Sequence, residues 1–131
     1  MIVLDTHVWV WWATQDPQLP RRVARLIEAR GDSESVFVSS ISVWEVALLV
    51  QRHRLQLTMP VSEWIRQAEA LMPTRFAPVD NRIALRSLLL PSPLHSDPAD
   101  RIIIATALHL QATLITKDRK LREYPHVETR W

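Results

Sequence analysis

Short apolar runs rich in β-branched residues alternate with longer stretches of helical periodicity along this 131-residue chain. The first run, Met-Ile-Val-Leu at residues 1–4, ends at Asp5 and predicts a strand that is buried on both faces. Similar runs predict strands at residues 36–38, 76–79, 112–116 and 127–130. Strands that alternate with helices favour an α/β fold, in which helices cover both faces of a mostly parallel central sheet. No repeat or long linker divides the chain, so we expect a single domain over residues 1–131.

The stretches between these runs carry helix signals. Asp5 or the residue after it is placed to cap the first helix. The pair Gly31-Asp32 is expected to end the second helix, and Pro98 suits the first helical position after a capping Asp97. The predicted helices cover residues 7–14, 20–30, 41–52, 61–71, 81–90 and 98–110.

Residue counts exclude several classes of function. The chain has no cysteine, which rules out a disulfide framework, a thiolate zinc site and a cysteine nucleophile. Its single glycine, Gly31, rules out a P-loop and a dinucleotide-binding fingerprint. The longest apolar run, residues 8–13, is far shorter than the roughly 18 residues that span a bilayer. The first basic residue is Arg21, so a secretory signal is also not indicated, and we expect a cytoplasmic protein without a membrane partner.

The basic residues are nearly all arginine, although the formal net charge is only +2. The two lysines are Lys117 and Lys120. Because the planar guanidinium fork matches phosphate, this bias is compatible with a nucleic-acid substrate. A genome that favours arginine codons would explain it equally well, so charge alone does not decide between these interpretations.

Aspartates follow two of the predicted strands. Asp5 comes directly after the first strand, and Asp118 lies two residues beyond the run 112–116. Each could simply cap a helix or start a turn. However, parallel strands end at the same edge of a sheet, where open α/β proteins bind their ligands. The sequence therefore places both carboxylates at one candidate binding edge.

Two further acids belong to helices. Glu45 is the only charged residue between Ser35 and Gln51, so it must find a partner, become protonated or occupy a narrow solvated stripe. Asp100 follows the expected cap Asp97 by three residues, and it either favours the helix dipole or projects into the same cleft.

Convergence of Asp5, Glu45, Asp100 and Asp118 would require a counter-charge. Two carboxylates about 4 Å apart repel by roughly 4 kcal/mol at an effective dielectric constant near 20. A hard divalent cation would offset this repulsion. Oxygen-only ligands favour Mg²⁺, with Mn²⁺ as a possible substitute, over zinc.

Four ordered motifs carry a resemblance to a known family. They are Met-Ile-Val-Leu-Asp-Thr-His, Ser-Val-Trp-Glu-Val, Asp-Pro-Ala-Asp-Arg-Ile-Ile-Ile-Ala-Thr-Ala and Leu-Ile-Thr-Lys-Asp. The chain resembles PIN-domain nucleases, and most closely the VapC toxins of bacterial toxin–antitoxin pairs. The resemblance implies a three-layer PIN-like sandwich and Mg²⁺-dependent cleavage of RNA by the toxin of such a pair. It also implies a homodimer and a cognate antitoxin as partner.

The family's catalytic and metal-binding acids fall on Asp5, Glu45, Asp100 and Asp118. By the same resemblance, hydroxyl groups of Thr6 and Thr116 could support the site or merely cap backbone groups. Asp97 is taken as the helix cap rather than a metal contact.

Other residues near the motifs have two interpretations. His7 could touch RNA, but a structural role is the default for a histidine beside a strand end. Tryptophans at 9, 11 and 12 could stack on bases or contact a protein partner, although packing of a short helix is the default interpretation. Basic residues that could flank RNA, or form a solvated face, are Arg52, Arg54, Lys117, Arg119, Lys120 and Arg122.

A non-catalytic receiver-type signalling module is the alternative, since it shares the length, the α/β fold and a Mg²⁺-binding acidic pocket. A receiver would have adjacent acids after its first strand and a lysine after a late one. Here Asp5 has no acidic neighbour, and Asp118 follows the last clear strand. A haloacid-dehalogenase phosphatase would need a second aspartate at the position of His7.

Overall fold

The computed structural model describes residues 1–30, 35–71 and 73–131, which contain five strands and seven helices. The strands are β1 (Ile2–Leu4), β2 (Val36–Ser39), β3 (Thr74–Ala77), β4 (Thr113–Ile115) and β5 (Thr129–Arg130). The helices are α1 (Thr6–Ala13), α2 (Arg21–Glu28), α3 (Ile41–Gln51), α4 (Val61–Glu69), α5 (Asn81–Leu88), α6 (Pro98–His109) and α7 (Arg119–Arg122).

The strands of the described residues form one parallel sheet in the order β3-β2-β1-β4-β5. Leu4 in the central strand β1 pairs with Val38 of β2 on one side and with Ile115 of β4 on the other. The chain first builds outward from β1 to β3 and then returns to place β4 against the opposite edge of β1. This reversal creates a crevice at the carboxyl ends of β1 and β4.

The strand order also excludes the receiver alternative. Receivers have the strand order 2-1-3-4-5, in which the first strand lies between the second and the third. Here β2 lies between β1 and β3, so the topology differs from that of a receiver.

Helices pack on both faces of the sheet, as predicted. Ile2 and Leu4 point into one apolar core, whereas Val3 points into the other, because successive side chains of a strand alternate. The first core includes residues of α1, α2, α3 and α4, and the second includes residues of α6 and α7. The predicted α/β sandwich is therefore confirmed. None of the described helices is both long and apolar enough to cross a membrane.

Several predicted boundaries were wrong by a few residues. β3 spans Thr74–Ala77 rather than residues 76–79, because its pairing with β2 begins at Thr74 opposite Val36 and ends at Ala77 opposite Ser39. The last strand contains only Thr129–Arg130, and α4 ends at Glu69 instead of residue 71. The short helix α7 was not predicted. Gly31 and Asp32, which were expected to end α2, lie outside the described residues.

Three helices end in a left-handed residue that is not glycine. Gln15, His53 and Gln111 follow α1, α3 and α6 with φ values of 53°, 56° and 53°. At the end of α6 the N–H of Gln111 donates to the carbonyl of Leu108, and that of Ala112 donates to the carbonyl of Ala107. These paired bonds form a Schellman motif, which usually has glycine at the left-handed position.

Candidate active site

Four carboxylates from separate parts of the chain line one cavity at the carboxyl edge of the sheet. Asp5 follows β1, Asp118 precedes α7, Glu45 belongs to α3 and Asp100 to α6. The cavity has a volume of about 270 Å³ and lies at the crevice between β1 and β4. The structure thus brings together all four acids that the sequence singled out.

Asp5 is the most rigidly held of these acids. Its side chain caps α1 and is only 4% exposed. Oδ1 accepts a hydrogen bond from the Thr6 amide at 2.8 Å, and Oδ2 accepts one from the Thr116 hydroxyl at 2.6 Å. The Thr116 oxygen in turn accepts the Asp118 amide at 3.0 Å. Thr116 therefore connects the acids that follow β1 and β4.

Glu45 satisfies its carboxylate with a hydroxyl network. The Thr6 hydroxyl donates to Glu45 Oε1 at 2.5 Å and lies 2.7 Å from the hydroxyl of the buried Ser42. Since the single Thr6 proton is used on Glu45, Ser42 must donate to Thr6. Ser42 was not singled out from the sequence, although it lies three residues before Glu45 and hence on the same helix face.

Burial raises the pKa of Glu45 to about 7. The hydrogen bond from Thr6 opposes this shift, while repulsion from Asp5, Asp100 and Asp97 adds to it. The sequence left three possibilities for Glu45, namely a partner, protonation or a solvated stripe. The structure shows a hydrogen-bond partner together with a pKa near neutrality.

Asp100 lies in the first turn of α6, where its side chain meets His95. The His95 Nε2 atom is 2.7 Å from Asp100 Oδ2. Burial raises the pKa of Asp100 to about 6, with further repulsion from Asp5 and Asp97 and an opposing contribution from His95. His95 carried no sequence signal, because its five-residue separation from Asp100 crosses a loop rather than one helix face.

Asp97 performs the capping role that was predicted for it. Its carboxylate accepts the Asp100 amide at 2.9 Å at the start of α6, with Pro98 at the first helical turn. Asp97 is not among the described residues that line the cavity. Asp118 has both roles, because it caps α7 by accepting the Lys120 amide at 2.9 Å and also borders the cavity.

His7 links the two strand ends that carry Asp5 and Asp118. Its Nε2 accepts the Lys117 amide at 3.1 Å, and its Nδ1 lies 3.5 Å from Asp5 Oδ2. Because a backbone amide can only donate, Nε2 is unprotonated and the ring proton is on Nδ1, facing Asp5. Burial lowers the pKa of His7, against the attraction of Asp5 and Asp118.

The three tryptophans of α1 have different environments. Trp9 is fully buried and meets Trp64 and Phe76 edge-on, and Trp12 packs against the same core. Trp11 instead lines the acidic cavity, with the Lys117 ammonium 5.7 Å above its ring. Packing therefore explains two of the three, and Trp11 remains available at the site. Of the flanking basic residues, Arg54 also lines the cavity.

Comparison with known proteins places the chain in a family. Residues 2–127 match the model of the PIN domain. The chain belongs to the PIN-domain family. This PIN domain is also 36% identical over 126 residues to the ribonuclease VapC22 of Mycobacterium tuberculosis, an alignment that covers 95% of this chain and 92% of that protein. The predicted resemblance to VapC-type PIN domains is therefore confirmed.

Solved structures share the architecture of this PIN domain. The VapBC2 structure from Rickettsia felis, bound to a DNA fragment from its promoter, matches with a TM-score of 0.71 and 18% identity over 99% of this chain and 98% of that one. A toxin–antitoxin complex from Klebsiella pneumoniae matches with a TM-score of 0.65 and 22% identity over 95% and 93%. At these identities the likeness establishes the fold alone.

The acids of this PIN domain suit a hard divalent cation. Within residues 1–30, 35–71 and 73–131, no three acid or histidine side chains stand close enough to form a ready-made metal centre. Mg²⁺, however, keeps several waters and needs only one or two carboxylates. Burial and repulsion between carboxylates raise the pKa values of Glu45 and Asp100. A cation in the cavity would offset this repulsion and favour the ionised carboxylates.

Proposed function

We propose that this PIN domain is a Mg²⁺-dependent endoribonuclease and the toxin of a toxin–antitoxin pair that acts in the cytoplasm. The observation that carries the proposal is the convergence of four carboxylates, from four separate elements or loops, on one small cavity. The relative from Mycobacterium tuberculosis is a ribonuclease, which supports RNA as the substrate. The match to a toxin–antitoxin complex supports an antitoxin as partner.

Asp5, Asp100 and Asp118 would hold the cation directly or through its water ligands, with Glu45 completing the pocket. When bound, Mg²⁺ supplies positive charge that stabilises the scissile phosphate and favours deprotonation of water; Mn²⁺ could substitute for it. The hydrogen bonds from Thr6 and Thr116 fix both oxygens of Asp5, so this ligand needs little reorganisation on binding.

Glu45 is the best placed of the acids to take a proton. Thr6 occupies Oε1, and Oε2 has no hydrogen bond within the described part of the chain. In the metal-free protein the pKa of Glu45 is about 7, and a cation bound nearby would favour the ionised carboxylate that accepts a proton. Asp118 is the other candidate, and like Glu45 it has one oxygen engaged in a hydrogen bond, here with the Lys120 amide at the start of α7.

The reaction is an in-line attack of water on phosphorus. The water proton passes to Glu45 Oε2, the bond between phosphorus and the 3′ oxygen breaks, and this oxygen takes a proton from solvent. The products are a 5′-phosphate and a 3′-hydroxyl. No protein nucleophile is required, which agrees with a chain that lacks cysteine.

A cleavage assay tests this proposal. Structured RNA is incubated with the protein in Mg²⁺, in EDTA, and with Asp100→Ala protein; Glu69→Ala on the exposed surface of α4 is the matched control. We expect cleavage by the parent and the control in Mg²⁺. Both EDTA and Asp100→Ala should lower the rate by roughly two orders of magnitude or more. Activity that survives EDTA, or products that end in a 2′,3′-cyclic phosphate, would overturn the proposal.

We also propose a homodimer, supported by apolar surface on α5. Leu85, Leu88 and Leu89 lie at helical spacing and are 61%, 75% and 69% exposed. A contiguous stripe of this kind is uncommon on a monomer and is typical of a protein interface.

A further inference from the structure

A second cavity, rich in arginine, lies beside the acidic one. It has a volume of about 410 Å³, and we call it the arginine pocket; its lining residues are Arg119, Arg122, Glu123, Thr129, Arg130 and Trp131. Three cations against one carboxylate give it a net positive charge. Arg119 is held by Glu123 at 2.7 Å, whereas Arg122 and Arg130 are exposed and make no ion pair within the described residues. Two guanidinium groups are therefore available to a ligand.

The arginine pocket is a neighbour of the acidic cavity, although the two share no lining residue. The Trp131 ring lies 6.1 Å from the Trp11 ring and 6.3 Å from His7, and both of these residues line the acidic cavity. The half-buried rings of Trp11 and Trp131, which we call the aromatic ledge, thus lie between the two cavities.

The surface on the other side of the acidic cavity has a different character. A groove of about 790 Å³ shares Val10, Trp11, Arg54 and Leu55 with that cavity. Its lining contains one acid, Asp16, and one base, Arg54, so it has no net charge to attract phosphates. Compared with this groove, the arginine pocket and the aromatic ledge combine stacking surfaces with positive charge.

Proteins that bind single-stranded RNA combine aromatic side chains with positively charged ones. Aromatic rings stack on bases with little dependence on sequence, and a basic groove follows the backbone. Arginine suits phosphate because its planar fork can donate two parallel hydrogen bonds.

We propose that single-stranded RNA on one side of the scissile phosphate crosses the ledge formed by Trp11 and Trp131. Its next phosphates then lie against Arg122 and Arg130 in the arginine pocket. This inference rests on the proposed ribonuclease function and specifies where the substrate binds. Lys117, above the Trp11 ring, contributes positive charge at the junction between the cavities.

Equilibrium binding tests the path. Fluorescence anisotropy is measured with a fluorescein-labelled single-stranded oligouridylate and Asp100→Asn protein, which keeps the RNA intact. Trp131→Ala should weaken binding by about 5- to 100-fold, while Trp131→Phe retains most of the affinity because it keeps an aromatic face. Arg122→Gln and Arg130→Gln should each reduce the slope of log affinity against log salt by about 0.7. Arg86→Gln on α5, which lines neither cavity, is the control.

The outcomes separate this inference from the proposed function. Trp131 also packs against the core, so the exposed arginine variants keep the test independent of folding. If the parent protein cleaves and binds RNA but the arginine variants match the control, this inference alone is wrong. The same holds if these variants weaken binding of the antitoxin and leave RNA affinity unchanged. If the parent neither binds nor cleaves RNA, both proposals fail.

Discussion

A partly buried carboxylate must be neutralised by a proton, a cation or hydrogen bonds, and Glu45 shows how the apo protein meets this requirement. Burial disfavours the ionised form more strongly than the Thr6 hydroxyl stabilises it, so the pKa rises to about 7. The same residue is consequently a source of pH-dependent stability and a candidate proton acceptor.

Stability of the metal-free protein should therefore fall as the pH rises through the range set by Glu45. The folded state holds this proton more tightly than the unfolded state, from the ordinary pKa of 4.5 to about 7 in the fold, so unfolding becomes easier above that range. Glu45→Gln should remove a difference on the order of 1 kcal/mol between about pH 5 and pH 8, since partial exposure reduces the effect. Urea denaturation in EDTA measures this difference.

Glu69→Gln, an exposed substitution on α4, is the matched control and should keep the pH dependence of the parent. The contribution of His7 is common to all three proteins, whereas Glu45→Gln also removes the repulsion between Glu45 and Asp100. An identical pH profile for Glu45→Gln and the parent would contradict the assigned pKa.

At this scale the sequence is informative where a residue departs from its local pattern. Glu45 is the only charge in an apolar stretch, and Asp5 ends an apolar run, so both could be singled out. Ser42 contacts the Thr6 hydroxyl because of how α3 packs, and His95 contacts Asp100 because of a loop conformation. Neither determinant is visible as a periodicity or a spacing.

The helix ends of this glycine-poor chain carry backbone strain. Gln15, His53 and Gln111 adopt φ near +55°, a region in which a Cβ atom crowds the backbone. All three side chains are exposed, so the strain is not offset by side-chain burial. The single glycine of the chain is Gly31, so none of these three positions has the residue that adopts this conformation most easily.

Gln111→Gly should stabilise the protein by roughly 0.5 to 1 kcal/mol. Glycine reaches the left-handed region without steric cost, and this gain exceeds the extra entropy that glycine gives the unfolded chain. Thermal unfolding followed by circular dichroism measures the change. Gln111→Ala removes the same side chain but retains Cβ, so it should show no comparable gain. Equal effects of glycine and alanine would contradict strain as the cause.

Elements could be predicted more securely than their ends. The existence of all five strands followed from apolar runs, but the bounds of β3 depend on its pairing with β2, which a run of apolar residues does not show. The single turn of α7 depends on the Asp118 cap and is too short to produce a periodic pattern. The parallel pairing of strands distant in sequence could be inferred only from the alternation with helices.

Among the large apolar side chains of the described residues, the most exposed are the three of the α5 stripe, and we expect this stripe to make the protein a dimer. Leu88→Lys places a charge at the centre of the stripe and should shift the mass measured by light scattering at micromolar concentration from dimer to monomer. The Leu88 side chain is 75% exposed, so the fold itself should tolerate the change.

Leu71→Lys, at an apolar position that is also exposed but lies outside α5, is the control and should leave the dimer intact. A parent protein that is monomeric at these concentrations, or a Leu88→Lys variant with unchanged mass, would exclude α5 as the dimer interface.

The hydrogen bond between Asp5 and Thr116 joins groups that are 111 residues apart. During translation, Asp5 leaves the ribosome long before its hydroxyl partner and the neighbouring strand β4. A growing polypeptide therefore cannot assemble the acidic cavity until the residues through Asp118 have emerged. Any hydrolytic activity of the cavity can begin only after that point in synthesis.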